Sequence, residues 1–345
     1  MFVCESSDGD TRTSGMKPYQ SLLLTRHDVS SLLKFEEYVI AVEEAFRLHA
    51  AGKATKPGLL HVDSTEGEFH IKAGGLKLRK QYFALKVNGG FFHNAERFGM
   101  PNIQGVIVLF DGDNGYPLAV MDSRIITSYR TGAATAVAAK YLAKADSKTA
   151  TIFGSGVQAR IQLRALVSVL PIKTVYVLGR DQSKLKDFQQ EMSKELGLQI
   201  ELAEAPATAL QNSDVCVTCT PSRRPIITVQ DVAPGTFIAA VGADSPDKQE
   251  LDPELLRQNK VVVDLLDQCA HVGELHHALG QGMNLDDVHA ELGEIILGKK
   301  AGRVAQDEII IFDSTGTSLQ DVASAAAVYE KALESGHGKD FDFFQ

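Results

Sequence analysis

The spacing of apolar positions changes along the chain, and each change predicts a different element. Over residues 22–51, Val39, Ile40, Val42, Ala45 and Phe46 recur at helical spacing, which predicts an opening amphipathic helix. Short apolar segments follow at residues 61–62, 68–72, 82–87, 105–111 and 117–122. Clusters of Gly, Asn and Asp separate them, so they predict a sheet with tight turns. Residues 126–142 (ITSYRTGAATAVAAKYL) are rich in alanine and predict a closely packed helix that leads out of this sheet.

From Lys148 the order becomes strand, glycine turn, helix and strand, in TATIFG, VQARIQLRALVSVL and KTVYVLG. Such crossovers imply a parallel sheet covered on both faces. Further strand candidates lie at residues 214–220, 236–241, 260–264 and 308–312, a cadence that fits a doubly wound sheet. The expected fold class is therefore α/β, with a Rossmann-type doubly wound parallel sheet beside a smaller α+β domain. Residues 147–318 form the former. Residues 21–146 form the latter, and 319–345 join it, because the last helix, at 319–334, follows a completed sheet. Residues 1–20, rich in Ser, Gly, Asp and Thr, read as a flexible extension without the apolar stretch of a signal peptide.

Composition narrows the function classes. With 345 residues the chain exceeds one ordinary core, and 44% apolar against 23% charged residues describes a globular enzyme. A net charge of −9 repels a phosphate backbone, so no nucleic-acid partner is expected. No segment is apolar enough to predict a membrane span. Cys216 and Cys219 form a CxxC inside the apolar run DVCVTCT, which reads as a buried strand, and a reducing, cytoplasmic setting is expected. His271, Glu274, His276 and His277 follow no recognised metal-binding spacing and read as solvated helix residues, so no metal site is expected.

The chemistry begins at Gly154, Ser155, Gly156, Val157, Gln158 and Ala159, a G-x-G-x-x-A pattern between a predicted strand and a predicted helix. The first glycine permits the turn, the second lets backbone approach a pyrophosphate, and the small third residue packs helix on strand. Backbone amides at the helix start then hold the phosphates of NAD(H) or NADP(H). The next strand ends Gly179, Arg180, Asp181. Gly179 takes the usual acidic position and Arg180 follows it, which favours NADP(H). Alternatively Arg180 is a surface charge and Asp181 binds the ribose of NAD(H).

The stretches FALKVNG, YPLAVMDSRIITSYRTGAA, TIFGSGVQA, VTCTPSRRPI, AVGADSPDKQELD and IIIFDSTGTSLQDVA resemble the ornithine cyclodeaminase and mu-crystallin family, over a span from about Leu22 to the final helix. Members include cyclodeaminases, archaeal-type alanine dehydrogenases, ketimine reductases and a binding protein without turnover. The resemblance implies that the first domain binds substrate and forms a homodimer through its sheet. It also assigns Lys86, Arg130 and Asp244 to the substrate pocket, Thr131 to the cofactor phosphates and Thr220 to the cofactor groove.

Those residue types suit hydride transfer at the α-carbon of an amino or imino acid. Lys86 and Arg130 offer a point charge and a planar fork for the substrate carboxylate, and Asp244 exchanges a proton at nitrogen. Taken without the resemblance, Lys86 reads equally well as the wet side of a strand, Arg130 as a surface ion pair and Asp244 as a turn cap. Two departures from the family stand out. Lys72, with His70 in EFHIKAGGL, either adds a cation for a further anionic group or marks a wet strand face, and Lys56 is a weaker candidate of the same kind. Asp313, Ser314, Thr315 and Gly316 either touch the cofactor or open a helix. Three functions remain open: an imine reductase or amino-acid dehydrogenase, a redox-neutral cyclodeaminase, and a cofactor-dependent binding protein.

Overall fold

The computed structural model describes residues 20–343, so the extension predicted over residues 1–20 lies, but for Gln20, outside them. The region predicted as one opening helix is three elements. Leu22 to Leu24 belong to the strand Ser21–Leu24, and the helices Arg26–Leu32 and Phe35–Ala50 follow. Thr25 stops the strand by capping the first helix in a reciprocal box with Asp28, and Leu33 is extended, which breaks the helical run before Phe35. Helix runs from Arg26 to Ala50 with one break at Leu33 and Lys34, and only Leu22 to Leu24 belong to a strand.

Ser21–Leu24 enters a seven-stranded sheet in the order Lys339–Phe341, Ser21–Leu24, Pro117–Asp122, Ile103–Asp111, Gln81–Gly90, Gly67–Lys77, Gly58–Ser64. Only its pairing with Pro117–Asp122 is parallel. Alternation divides the two faces. Leu76, Ala84, Ile107, Leu109 and Met121 are buried toward the helices, whereas Leu60, Phe69, Phe83 and Val106 are exposed on the opposite face. The predicted strands are all present; Pro117–Asp122 has the predicted bounds and the other four are longer than their apolar cores suggested.

The second sheet has eight parallel strands in the order Ala290–Glu291, Lys260–Val263, Ile310–Asp313, Phe237–Ala240, Val215–Thr218, Thr149–Phe153, Thr174–Leu178, Gln199–Leu202. The chain winds outward both ways from Thr149–Phe153 and Val215–Thr218, so their carboxyl ends open the crevice where ligands bind in such sheets. This is the expected doubly wound Rossmann-type architecture. Its outer strands at Gln199–Leu202 and Ala290–Glu291, and the separate pair Arg223–Ile227 with Gln249–Leu251, had no clear apolar signature.

Two close approaches join the sheets. The helix Ser318–Ser335 returns onto the first sheet, and Gly74 leaves room for the Ser318 side chain there. In the helix Leu292–Ile296, a Cβ at Gly293 would collide with the Phe46 carbonyl on the helix Phe35–Ala50. Among the described residues no helix is long and apolar enough to cross a membrane.

Candidate functional site

A cavity of about 310 Å³ lies between the buried face of the first sheet and the carboxyl edge of the second. From the first side it is lined by Lys72, Lys86 and Arg130, and from the second by Gln158, Thr220 and Asp244. Six positions singled out in the sequence thus converge from six separate segments.

Lys72 and Lys86 are direct partners across the strands Gly67–Lys77 and Gln81–Gly90, which puts both ammonium groups on the inner face. Arg130 reaches in from the helix Ser123–Leu142. All three are buried, so the reading of Lys72 and Lys86 as wet strand faces and of Arg130 as a surface residue fails. What makes this burial tolerable is Asp321, on the final helix. Its carboxylate lies 2.7 Å from Lys86 Nζ and 3.1 Å from Arg130 Nε, and it is itself 2% exposed. Arg130 also donates to Gln320 Oε1 at 3.0 Å, while Lys72 donates to the carbonyls of Thr315 and Gly316. Gly316 has φ +72°, and a Cβ there would strike the Arg130 guanidinium.

Sequence reasoning missed Asp321 and Gln320. Both lie in IIIFDSTGTSLQDVA, but nothing local distinguishes them from a polar helix face. The preceding loop does not open the helix, as one reading of Ser314 and Thr315 expects. Thr315 and Gly316 are tied to Asp264, through Thr315 Oγ1 at 3.0 Å and Gly316 N at 2.7 Å, and their carbonyls hold Lys72. The helix starts later, with Thr317 as its N-cap.

Electrostatics set the protonation pattern. Burial pushes Lys86 down to about 7, with Asp321 opposing and Arg130 adding to the shift. Lys72 is also lowered, by burial and by Arg130. Burial alone would raise Asp321, but the charges of Lys86 and Arg130 outweigh it and keep the group below its usual value. Asp244 stands on the loop after Phe237–Ala240, its side chain 44% exposed and paired with Lys248. There too the burial effect is outweighed, by Lys248 first and then by Lys72 and His70, so Asp244 stays an ionised carboxylate.

The glycine turn fits a dinucleotide. Gly154 has φ +120°, and a Cβ there would press on Cys219. Gly156 opens the helix Val157–Val169 with no side-chain cap and nothing within 4 Å of where a Cβ would stand. The first amides of that helix are therefore free for an anion, beside an open approach. Ser155 and Val157 flank this opening, Val157 being 64% exposed. Glu250, another residue the sequence reading did not single out, sets the two loops beyond it. Its carboxylate accepts from Thr220 N at 2.6 Å and Gly242 N at 3.1 Å, and burial raises it to about 7.

Other candidates fall elsewhere. Lys56 is exposed and pairs with Asp267 at 3.1 Å, outside the cavity lining. The Thr131 hydroxyl donates to Thr127 O at 2.7 Å along its own helix. Arg180 is exposed after the strand Thr174–Leu178, and Asp181 caps the helix Gln182–Leu196 through the amides of Ser183 and Lys184. Cys216 is buried and Cys219 Sγ points to the Phe153 carbonyl. Glu274 is a correction to the solvated reading of its cluster, being 1% exposed and accepting from the amides of Glu250 and Leu251. His271, His276 and His277 face three different carbonyls.

Comparison with known proteins agrees with this geometry. The alanine dehydrogenase of Archaeoglobus fulgidus is 41% identical over 327 residues, 94% of this chain and 99% of that protein. A solved archaeal alanine dehydrogenase dimer with bound NAD superposes with a TM-score of 0.89, at 41% identity over 94% of this chain and all of the other. The Thermococcus litoralis Δ1-pyrroline-2-carboxylate reductase, solved with NADH and L-proline, gives 0.87 at 36% identity over 93% of this chain and all of its own. Residues 19–336 match the ornithine cyclodeaminase/mu-crystallin family, and the chain belongs to that family.

Proposed function

We propose that this protein is a homodimeric, nicotinamide-dependent oxidoreductase that reduces the C=N bond of a small α-imino acid to an L-amino acid. The imino acid is a cyclic ketimine such as pyrroline-2-carboxylate, or the iminium formed from a 2-oxo acid and ammonia. The observation that carries this reading is the buried Lys86–Asp321–Arg130 cluster facing Asp244 across a cavity that begins at the glycine turn.

Gly154, Ser155, Gly156, Val157 and Gln158 would hold the pyrophosphate of a nicotinamide dinucleotide, which when bound would supply the hydride. Lys86 and Arg130 hold the substrate carboxylate, and Asp321 fixes both cations so that little side-chain freedom is lost on binding. Asp244, ionised, faces the nitrogen. It stabilises the iminium charge and takes up the proton of the ammonium group in the reverse direction. Thr220 and Gly242, pinned by Glu250, form a fixed wall of the cavity that would face the ring.

NADP(H) is the proposed cofactor, with NAD(H) also accepted. Asp181 is engaged as a helix cap, and Gly179 with exposed Arg180 leaves room and charge for a 2′-phosphate. The exposed apolar face with Leu60, Phe69, Phe83 and Val106 supports a dimer through the sheet, as does the dimeric archaeal relative. The free thiols Cys216, Cys219 and Cys269 suit a cytoplasmic location.

Loss of the nicotinamide absorbance band on mixing enzyme and NADPH with pyrroline-2-carboxylate, or with pyruvate and ammonia, is the expected result. Conversion of ornithine to proline with no net absorbance change would instead mark redox-neutral chemistry. Because Lys86 titrates near 7, kcat/KM for the anionic substrate falls as pH rises through that value, and Lys86→Arg removes this limb, since arginine stays protonated. Asp321→Asn strands two buried cations, which lowers the urea unfolding free energy by about 3–5 kcal/mol. An unchanged midpoint would refute the role given to Asp321. Arg180→Ala raises KM for NADPH more than for NADH, and equal effects would remove the cofactor preference.

A further inference from the structure

We infer that His61, Glu68 and His70 form a binding site for one divalent transition-metal ion of the zinc class at the mouth of the cavity. The site arises from strand register. His61 stands opposite His70, and Asp63 opposite Glu68, in the antiparallel pair Gly58–Ser64 with Gly67–Lys77. Residues opposite each other share a face, so both imidazoles and both carboxylates project on the side that carries Lys72.

The donor atoms are already close. Glu68 Oε1 lies 3.1 Å from His70 Nε2, and Glu68 Oε2 lies 3.6 Å from His61 Nε2. One ligating atom from each of the three residues falls within 4.8 Å of the others. Zinc bonds of about 2.0–2.2 Å in a tetrahedron put ligand atoms roughly 3.3–3.6 Å apart. Both contacts of Glu68 lie at that scale, and a small rotation of His61, whose side chain is 39% exposed, closes the remaining separation. Two imidazoles with one carboxylate are a donor set suited to zinc and its first-row neighbours. Asp63 Oδ1 lies 3.1 Å from the same His61 Nε2 and is placed to become the fourth ligand.

The site is distinct from the hydride-transfer machinery but adjoins it. Glu68 and His70 line the cavity, whereas His61 stands outside the lining on a fully exposed strand. An ion there narrows the entrance from the side of the sheet and reduces access to Lys72 and Asp244. The assignment does not depend on the proposed reaction, because it is tested by binding alone.

Isothermal titration of zinc chloride into the full, chelator-treated chain decides it, with cobalt(II) absorption as a second reading of coordination. One ion per chain is expected, with the visible bands of nitrogen and oxygen ligation. His61→Ala lowers zinc affinity by about 100-fold, given that even the outer partners of metal ligands are worth roughly 10- to 100-fold. Its turnover in the presence of chelator stays at the wild-type value. Glu68→Gln weakens zinc comparably while retaining the thermal midpoint. Wild-type binding no tighter than that of His61→Ala would overturn the site, as would binding that persists in His61→Ala and disappears on His271→Ala.

Discussion

The placement of Asp321 between Lys86 and Arg130 is the interaction on which the site depends. Two cations buried together repel, and each has given up its hydration; a single carboxylate 2.7 Å from one and 3.1 Å from the other offsets both costs. Its position also has a topological meaning. Asp321 belongs to the final helix, which follows the last strand of the second sheet in sequence and packs back on the first sheet. The same helix therefore both packs on the first sheet and supplies the carboxylate between Lys86 and Arg130, so the cluster is not complete without residues distant in the chain.

A second tier of buried acids supports the opposite wall by different means. Glu250, Glu274 and Asp313 accept from backbone amides in place of cations, holding the loops at Thr220, Gly242 and Leu275. Burial raises all three above their usual values. A carboxyl that burial pushes toward its neutral form and that N–H groups satisfy fixes backbone without bringing extra charge, so the cations Lys72, Lys86 and Arg130 stand on one side of the cavity and Asp244, paired with Lys248, on the other. That separation suits a zwitterionic ligand, with its carboxylate toward the cations and its nitrogen toward Asp244.

Much of the fold was legible because its signals are local. The Rossmann crossover showed itself in TATIFG, the glycine turn and VQARIQLRALVSVL, where strand, turn and helix follow within a few residues. The opening helix was misjudged at Leu22 to Leu24, because three apolar residues joined to a helical run look alike whether they enter a helix or an edge of a sheet. The site was legible where a motif named the residue, as at Lys86, Arg130 and Asp244. It was not legible where function arises from pairing across distance. Asp321 gains its role from a strand residue, Lys86, and a helix residue, Arg130, the nearer of them 191 positions earlier, and the His61, Glu68 and His70 cluster exists only in the register of a hairpin. The cluster at His271 to His277, whose spacing matches no metal-binding pattern, sends its rings to separate carbonyls.

The central claim is that these cations and Asp244 present the α-carbon of an imino acid to the nicotinamide. Mass spectrometry of proline made from pyrroline-2-carboxylate with NADPH deuterated at C4 tests it most directly. One deuterium at the α-carbon of L-proline is the predicted result; proline without the label, or labelled cofactor recovered intact while proline accumulates, would contradict it.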